Sequence, residues 1–143
     1  PGPPVATAVL PTTGPVVVDG WQPAGGAADL AAELGKLSAW LAENETVIGP
    51  YAHGNRFVAY LDQGGMEYDG GTTSAPGPLR HEAHHSWWGR AVRPASQADG
   101  WVDEAWTVHH DNGSSGSDPF DFTDPPVTRL VAQGMSWAAR DRH

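Results

Sequence analysis

Apolar side chains recur at Leu30, Leu34, Leu37, Trp40 and Leu41, a spacing that predicts an amphipathic helix over residues 27–44, packed by one face. Ahead of it, Val16, Val17 and Val18 form the first clear β signal. Residues 1–15, with five prolines, read as a lead-in or the tail of a preceding β domain. Gly49-Pro50 marks a turn, and Arg56 to Leu61, rich in aromatic and β-branched residues, reads as a strand running into the Gly-rich stretch QGGMEYDGG. Beyond the loop SAPGP, the segment from Leu79 to about Gly89 contains no breaker and should be helical, as should the segment from about Asp99 to His109. The run DNGSSGSDPFDFTDPP is loop by composition, and Val127, Leu130, Val131, Gly134 and Trp137 mark a last helix. This order of elements predicts an α+β domain over residues 16–143, with a small mixed sheet.

Composition narrows the chemistry. A chain of 143 residues holds one ordinary domain with a real core. Eight Lys and Arg against seventeen Asp and Glu give a net charge of −9, which argues against a nucleic-acid partner. No apolar run is long enough to span a membrane, and the first residues lack the charged and apolar regions of a signal peptide. With no Cys, any metal must be held by His, Asp or Glu. Seven Trp suggest a well-filled core or an aromatic-lined cleft. Nothing in the pattern specifies a compartment or an oligomeric state.

The segment HEAHH at 81–85 contains H-E-x-x-H on an expected helix, where residues four apart share a face, so His81 and His85 can reach one ion. A catalytic zinc takes three protein ligands, and Glu104, separated from the motif by the eighteen residues 86 to 103 and on a second expected helix, supplies the third. Zinc lowers the pKa of a water it binds to about 7, so Glu82 can take that proton as the oxygen attacks a carbonyl carbon. One Zn²⁺ per chain and a peptide substrate follow. His84 reads as a helix-surface or supporting residue, and His109 and His110 as solvated. The acidic run from Asp111 to Asp124 does not match a calcium-loop spacing and reads as a solvated loop.

These residues resemble the aminopeptidase N family of zinc peptidases. GPYAHGNRFVAYLDQGGMEYDGG resembles the family's strand ending in G-x-M-E-N, and HEAHHSWWGRAV resembles H-E-x-x-H-x-W-F-G-N-x-V. DGWVDEAWTVH resembles D-x-W-L-N-E-G-x-x-x-Y, and the eighteen-residue spacer is the family's own. The resemblance covers roughly residues 10–111 and implies a thermolysin-like catalytic domain with aminopeptidase activity. It also implies that Gly64, Gly65, Met66 and Glu67 form the substrate-binding edge, with Glu67 holding the free α-amino group of a peptide. Asp111 falls where the family has an acidic residue that supports a liganding His.

Tyr68, Arg90, Asp103, Ala105 and His109 depart from the family's Asn, Asn, Asn, Gly and Tyr. No Tyr follows Tyr68, whereas the family's transition-state tyrosine lies many tens of residues beyond the third ligand. The expectation is therefore the catalytic segment of a longer aminopeptidase. The alternatives are a minimal zinc endopeptidase and a zinc-binding module without turnover.

Overall fold

Alternation decides the sheet. In the computed structural model, which describes residues 4–93, 95, 103, 104, 106, 107 and 110, the chain divides into two units, Pro1–Ala91 and Val92–His143. In the first unit β1 (Val5–Leu10) turns Ala8 and Leu10 inward and Val5 and Val9 outward. A hairpin over residues 11–13 joins it to β2 (Gly14–Trp21), in register from Leu10 opposite Gly14 to Val5 opposite Asp19. Residues 5–10, read from sequence as part of a Pro-rich lead-in, are thus an edge strand. Pro11 sits in the turn and Pro15 near the start of β2, positions where a missing N–H is tolerated.

The chain then crosses over through α1 (Leu30–Val47) to β3 (Arg56–Leu61), which runs parallel to β2. This helix starts three residues later than the apolar spacing predicts. The Asp29 side chain accepts a hydrogen bond from the Ala32 N–H at 3.1 Å, while Gln22 holds Ala28 through both its backbone N–H and its carbonyl. It ends where the Ile48 N–H closes on Asn44 O and Gly49 turns away. Leu34, Leu37 and Leu41 are fully buried against Val16, Val18, Phe57 and Ala59, and Trp40 is only partly covered. The opposite sheet face leaves Val5, Val9, Trp21, Val58 and Tyr60 exposed.

The Gly-rich stretch is a second hairpin. β4 (Gly65–Tyr68) and β5 (Gly71–Ser74) pair antiparallel around Asp69-Gly70, where Gly70 takes φ +73°. β5 lies parallel to β3, so the strand order is β1-β2-β3-β5-β4, and β4 is the edge.

Next comes α2 (Leu79–His84), with His85 as its C-cap. Sequence spacing predicts a helix to about Gly89. Instead the backbone tightens, with Ser86 N–H bonded to Ala83 O and Trp87 N–H to His84 O. Trp87 explains the change: its indole is buried, donates to Gly49 O at 2.7 Å and packs on the Tyr51 ring, which draws the chain toward the end of α1. Trp88 is a partly buried neighbour of the core.

In the second unit, residues 103, 104, 106, 107 and 110 are helical, in the stretch expected to be a helix. Asp111, His109, the acidic loop and the last expected helix lie outside the described residues. Among the described residues no helix is long and apolar enough to cross a membrane.

Candidate metal centre

His81 of α2 and the C-cap His85 meet. Their Nε2 atoms lie 3.1 Å apart, with ring centroids at 4.8 Å and planes at 77°. Two imidazole nitrogens on one tetrahedral zinc, each at about 2.0–2.1 Å, would stand roughly 3.3 Å apart. The pair therefore already has nearly the spacing that a shared cation needs. His85 is completely buried, and its Nδ1 lies 3.0 Å from Trp88 O. A carbonyl only accepts, so this contact puts the proton on Nδ1 and leaves the Nε2 lone pair pointing at His81. The donor set and its orientation fit a zinc ion.

The segment that carries His85 is clamped from behind. His53 Nε2 contacts Ser86 O at 2.7 Å, and the Tyr51 ring packs edge-on against His53 at 5.3 Å as well as against Trp87. Sequence reasoning passed over both residues, since a lone His beside a turn carries no motif. His84, read from sequence as a helix-surface or supporting residue, is fully buried.

Beside the histidines stand two carboxylates. Ligand atoms of Glu67, Glu82 and His85 all lie within 4.8 Å of one another, with Glu82 and His85 buried. Glu82 also abuts the edge strand. A Cβ placed on Gly65 would lie 2.1 Å from Glu82 Oε1, so any larger residue there would push the α2 carboxylate aside.

Gly64, in the turn before β4, accepts from the Ala75 N–H at 2.7 Å, and Met66 O accepts from the Thr72 hydroxyl at 2.8 Å. Those bonds fix the strand that presents Glu67. Glu67 itself is partly buried, and Arg90 holds it. One guanidinium nitrogen, Nη2, reaches both the Glu67 carbonyl and Oε1 at 2.8 Å. This pairing was not read from the sequence, because the two residues are 23 positions apart and carry no joint spacing signal.

Of the other expected site residues, Glu104 is helical and buried in the second unit, and Asp111 is outside the described residues. The five-stranded sheet, the α1 crossover and the α2 segment beside the edge hairpin together have a known counterpart. The fold is similar to that of an M1 zinc metallopeptidase. Two crystal structures of a mutant two-domain M1 zinc metallopeptidase match it. The structure bound to L-arginine has a TM-score of 0.65 at 23% identity, over 96% of this chain and 32% of that one. The structure bound to L-tryptophan has a TM-score of 0.63 at 22% identity, again over 96% and 32%. The chain thus spans 32% of the length of these M1 enzymes, and at such identities the likeness is one of fold. No protein-family model matches the sequence. No curated protein matches it either.

Proposed function

We propose that this chain is the catalytic segment of a zinc-dependent metallopeptidase of the M1, thermolysin-like type, and that the reaction is removal of N-terminal residues from peptides. The observation that carries the reading is the His81–His85 pair, with Nε2 atoms 3.1 Å apart and one tautomer fixed by a carbonyl, set against the Glu82 carboxylate. In this reading His81, His85 and Glu104 hold one zinc, and Asp111 supports a liganding His. Zinc, when bound, supplies a Lewis acid for the scissile carbonyl.

Glu82 is the general base. Its carboxylate, which lies against the Gly65 backbone, would take the proton of the attacking water and pass it to the leaving amine. Gly64, Gly65 and Met66 offer an extended edge for the substrate backbone, and Glu67 receives its α-ammonium through a charge-assisted contact. One observation favours an endopeptidase as the second reading: Glu67 is already paired with Arg90, as a cleft without a free amine to bind would allow.

The test is metal analysis combined with turnover. Zinc should bind at one per chain, be lost in His81→Ala and Glu104→Ala, and be kept in Glu82→Gln while turnover falls by about 10²–10⁴. Full zinc retention in His81→Ala would refute the ligand assignment.

A further inference from the structure

Around Glu67 the charges are arranged unusually for an ammonium receptor. Its carboxylate lies within 4.8 Å of the Glu82 carboxylate, a like-charge neighbourhood that calls for a cation. Arg90 already provides one. Nη2 bridges Glu67 Oε1 and Glu67 O at 2.8 Å each, so the guanidinium is fastened to the strand as well as to the carboxylate. With side-chain exposures of 14% for Glu67 and 30% for Arg90, the pair is only partly screened by water.

A substrate ammonium would make the same kind of charge-assisted bond to the same carboxylate. Two cations sharing one carboxylate repel each other. The ammonium must therefore bind against the guanidinium or displace it, and displacement breaks two hydrogen bonds. An acylated or internal amide nitrogen meets no such opposition.

We propose that Arg90 is a specificity-determining residue: by holding Glu67 in an internal ion pair, it lowers the preference of this cleft for a free α-amine over a blocked one. The inference rests on the reading of Glu67 as the carboxylate that faces the substrate's first residue. In it, Arg90→Asn frees Glu67 for the ammonium, whereas Arg90→Lys keeps a cation beside it.

Calorimetric titration of the zinc-loaded protein with L-leucinamide and N-acetyl-L-leucinamide tests this. Arg90→Asn should tighten leucinamide by up to about fivefold, the upper end for one partly exposed ion pair, and move the acetylated compound less than about twofold. Arg90→Lys should stay near wild type. Arg90→Gln serves as a second neutral variant if Arg90→Asn melts early by circular dichroism.

Unchanged or weaker leucinamide binding in a folded neutral variant overturns the proposal, and so does equal tightening of both compounds. Absence of measurable leucinamide binding in wild type and variants alike overturns it too. Zinc content and peptide turnover on the same samples separate the two levels of argument. Normal zinc and turnover with an unmoved leucinamide affinity remove the Arg90 role alone. Tightened leucinamide without turnover removes the catalytic reading and leaves the Arg90 role in place.

Discussion

Gly65 and Glu82 are in contact across the gap between the edge strand and α2: a Cβ on Gly65 would lie 2.1 Å from Glu82 Oε1. The atom that must yield is the tip of a side chain, not backbone. Gly65→Ala should therefore cost little stability but swing the Glu82 carboxylate away. A displacement of about 1 Å at a reacting group can cost roughly 10²-fold, so turnover should fall on that scale with zinc stoichiometry intact. Paired measurement of melting temperature, zinc content and kcat checks it. Full activity in Gly65→Ala would mean that Glu82 is not the base in this position.

A second prediction concerns Glu45, near the C-terminal end of α1. It accepts hydrogen bonds from the Thr12, Thr13 and Tyr51 N–H groups, at 2.6, 3.1 and 3.0 Å, and from the Thr13 hydroxyl. Burial pushes its pKa up, but the four donors outweigh burial and hold it at about 2, against 4.5 for an unperturbed Glu. A depressed folded-state pKa contributes stability that is fully present above about pH 4.5 and is lost as pH falls toward about 2. Urea melts across this window should show stability falling with pH in wild type. Glu45→Gln should flatten that slope and lower stability at pH 7 by about 1.5–3 kcal/mol, the usual worth of hydrogen bonds to a charged group. An unchanged slope would show that another group governs acid unfolding.

Trp87 gives a third. Trp87→Phe keeps most of the buried ring but removes the 2.7 Å bond to Gly49 O, which ties the segment after α2 to the turn after α1. Losing a hydrogen bond to this partly buried carbonyl costs about 0.5–1.5 kcal/mol. Chemical denaturation should report that loss. The His81–His85 spacing is set by the last turn of α2, which His85 caps, so zinc stoichiometry should survive; zinc lost together with stability would show that the Trp87 tether, and not this turn, holds the pair.

The parts of the structure legible in the sequence are those governed by local period. The Leu30-to-Leu41 spacing marks α1, the aromatic and β-branched run marks β3, and the four-residue spacing of His81 and His85 foretells a shared face. Local period fails where the deciding partner is distant. β1 was hidden because Pro11 and Pro15 read as breakers, although both fall at tolerated positions of a hairpin. α2 ends early because Trp87 reaches back to Gly49, 38 positions away. The Glu67–Arg90 and Glu45–Thr13 pairings join residues 23 and 32 positions apart, and no periodicity announces a contact of that kind.

The last prediction turns on Glu67, because this one residue separates an exopeptidase from an endopeptidase. If its carboxylate receives the α-ammonium, Glu67→Ala should weaken cleavage of peptides with free N-termini and leave N-acetylated peptides little changed, since only the former lose a charge-assisted contact. Such contacts are worth about 1.5–3 kcal/mol, or roughly ten- to a hundredfold in kcat/KM. Arg90 complicates the simple truncation. Glu67→Ala also strips the guanidinium of its carboxylate partner and leaves an uncompensated cation in the cleft. Glu67→Gln is the cleaner variant, because an amide oxygen can still accept from Arg90 Nη2 while carrying no charge to attract an ammonium. Both variants should shift the ratio of free to acetylated substrate in the same direction, with Glu67→Gln retaining more of the fold's stability. Equal losses on both substrate classes would sink the amine-anchor role. A wild-type protein that prefers acetylated peptides would establish the endopeptidase reading in its place.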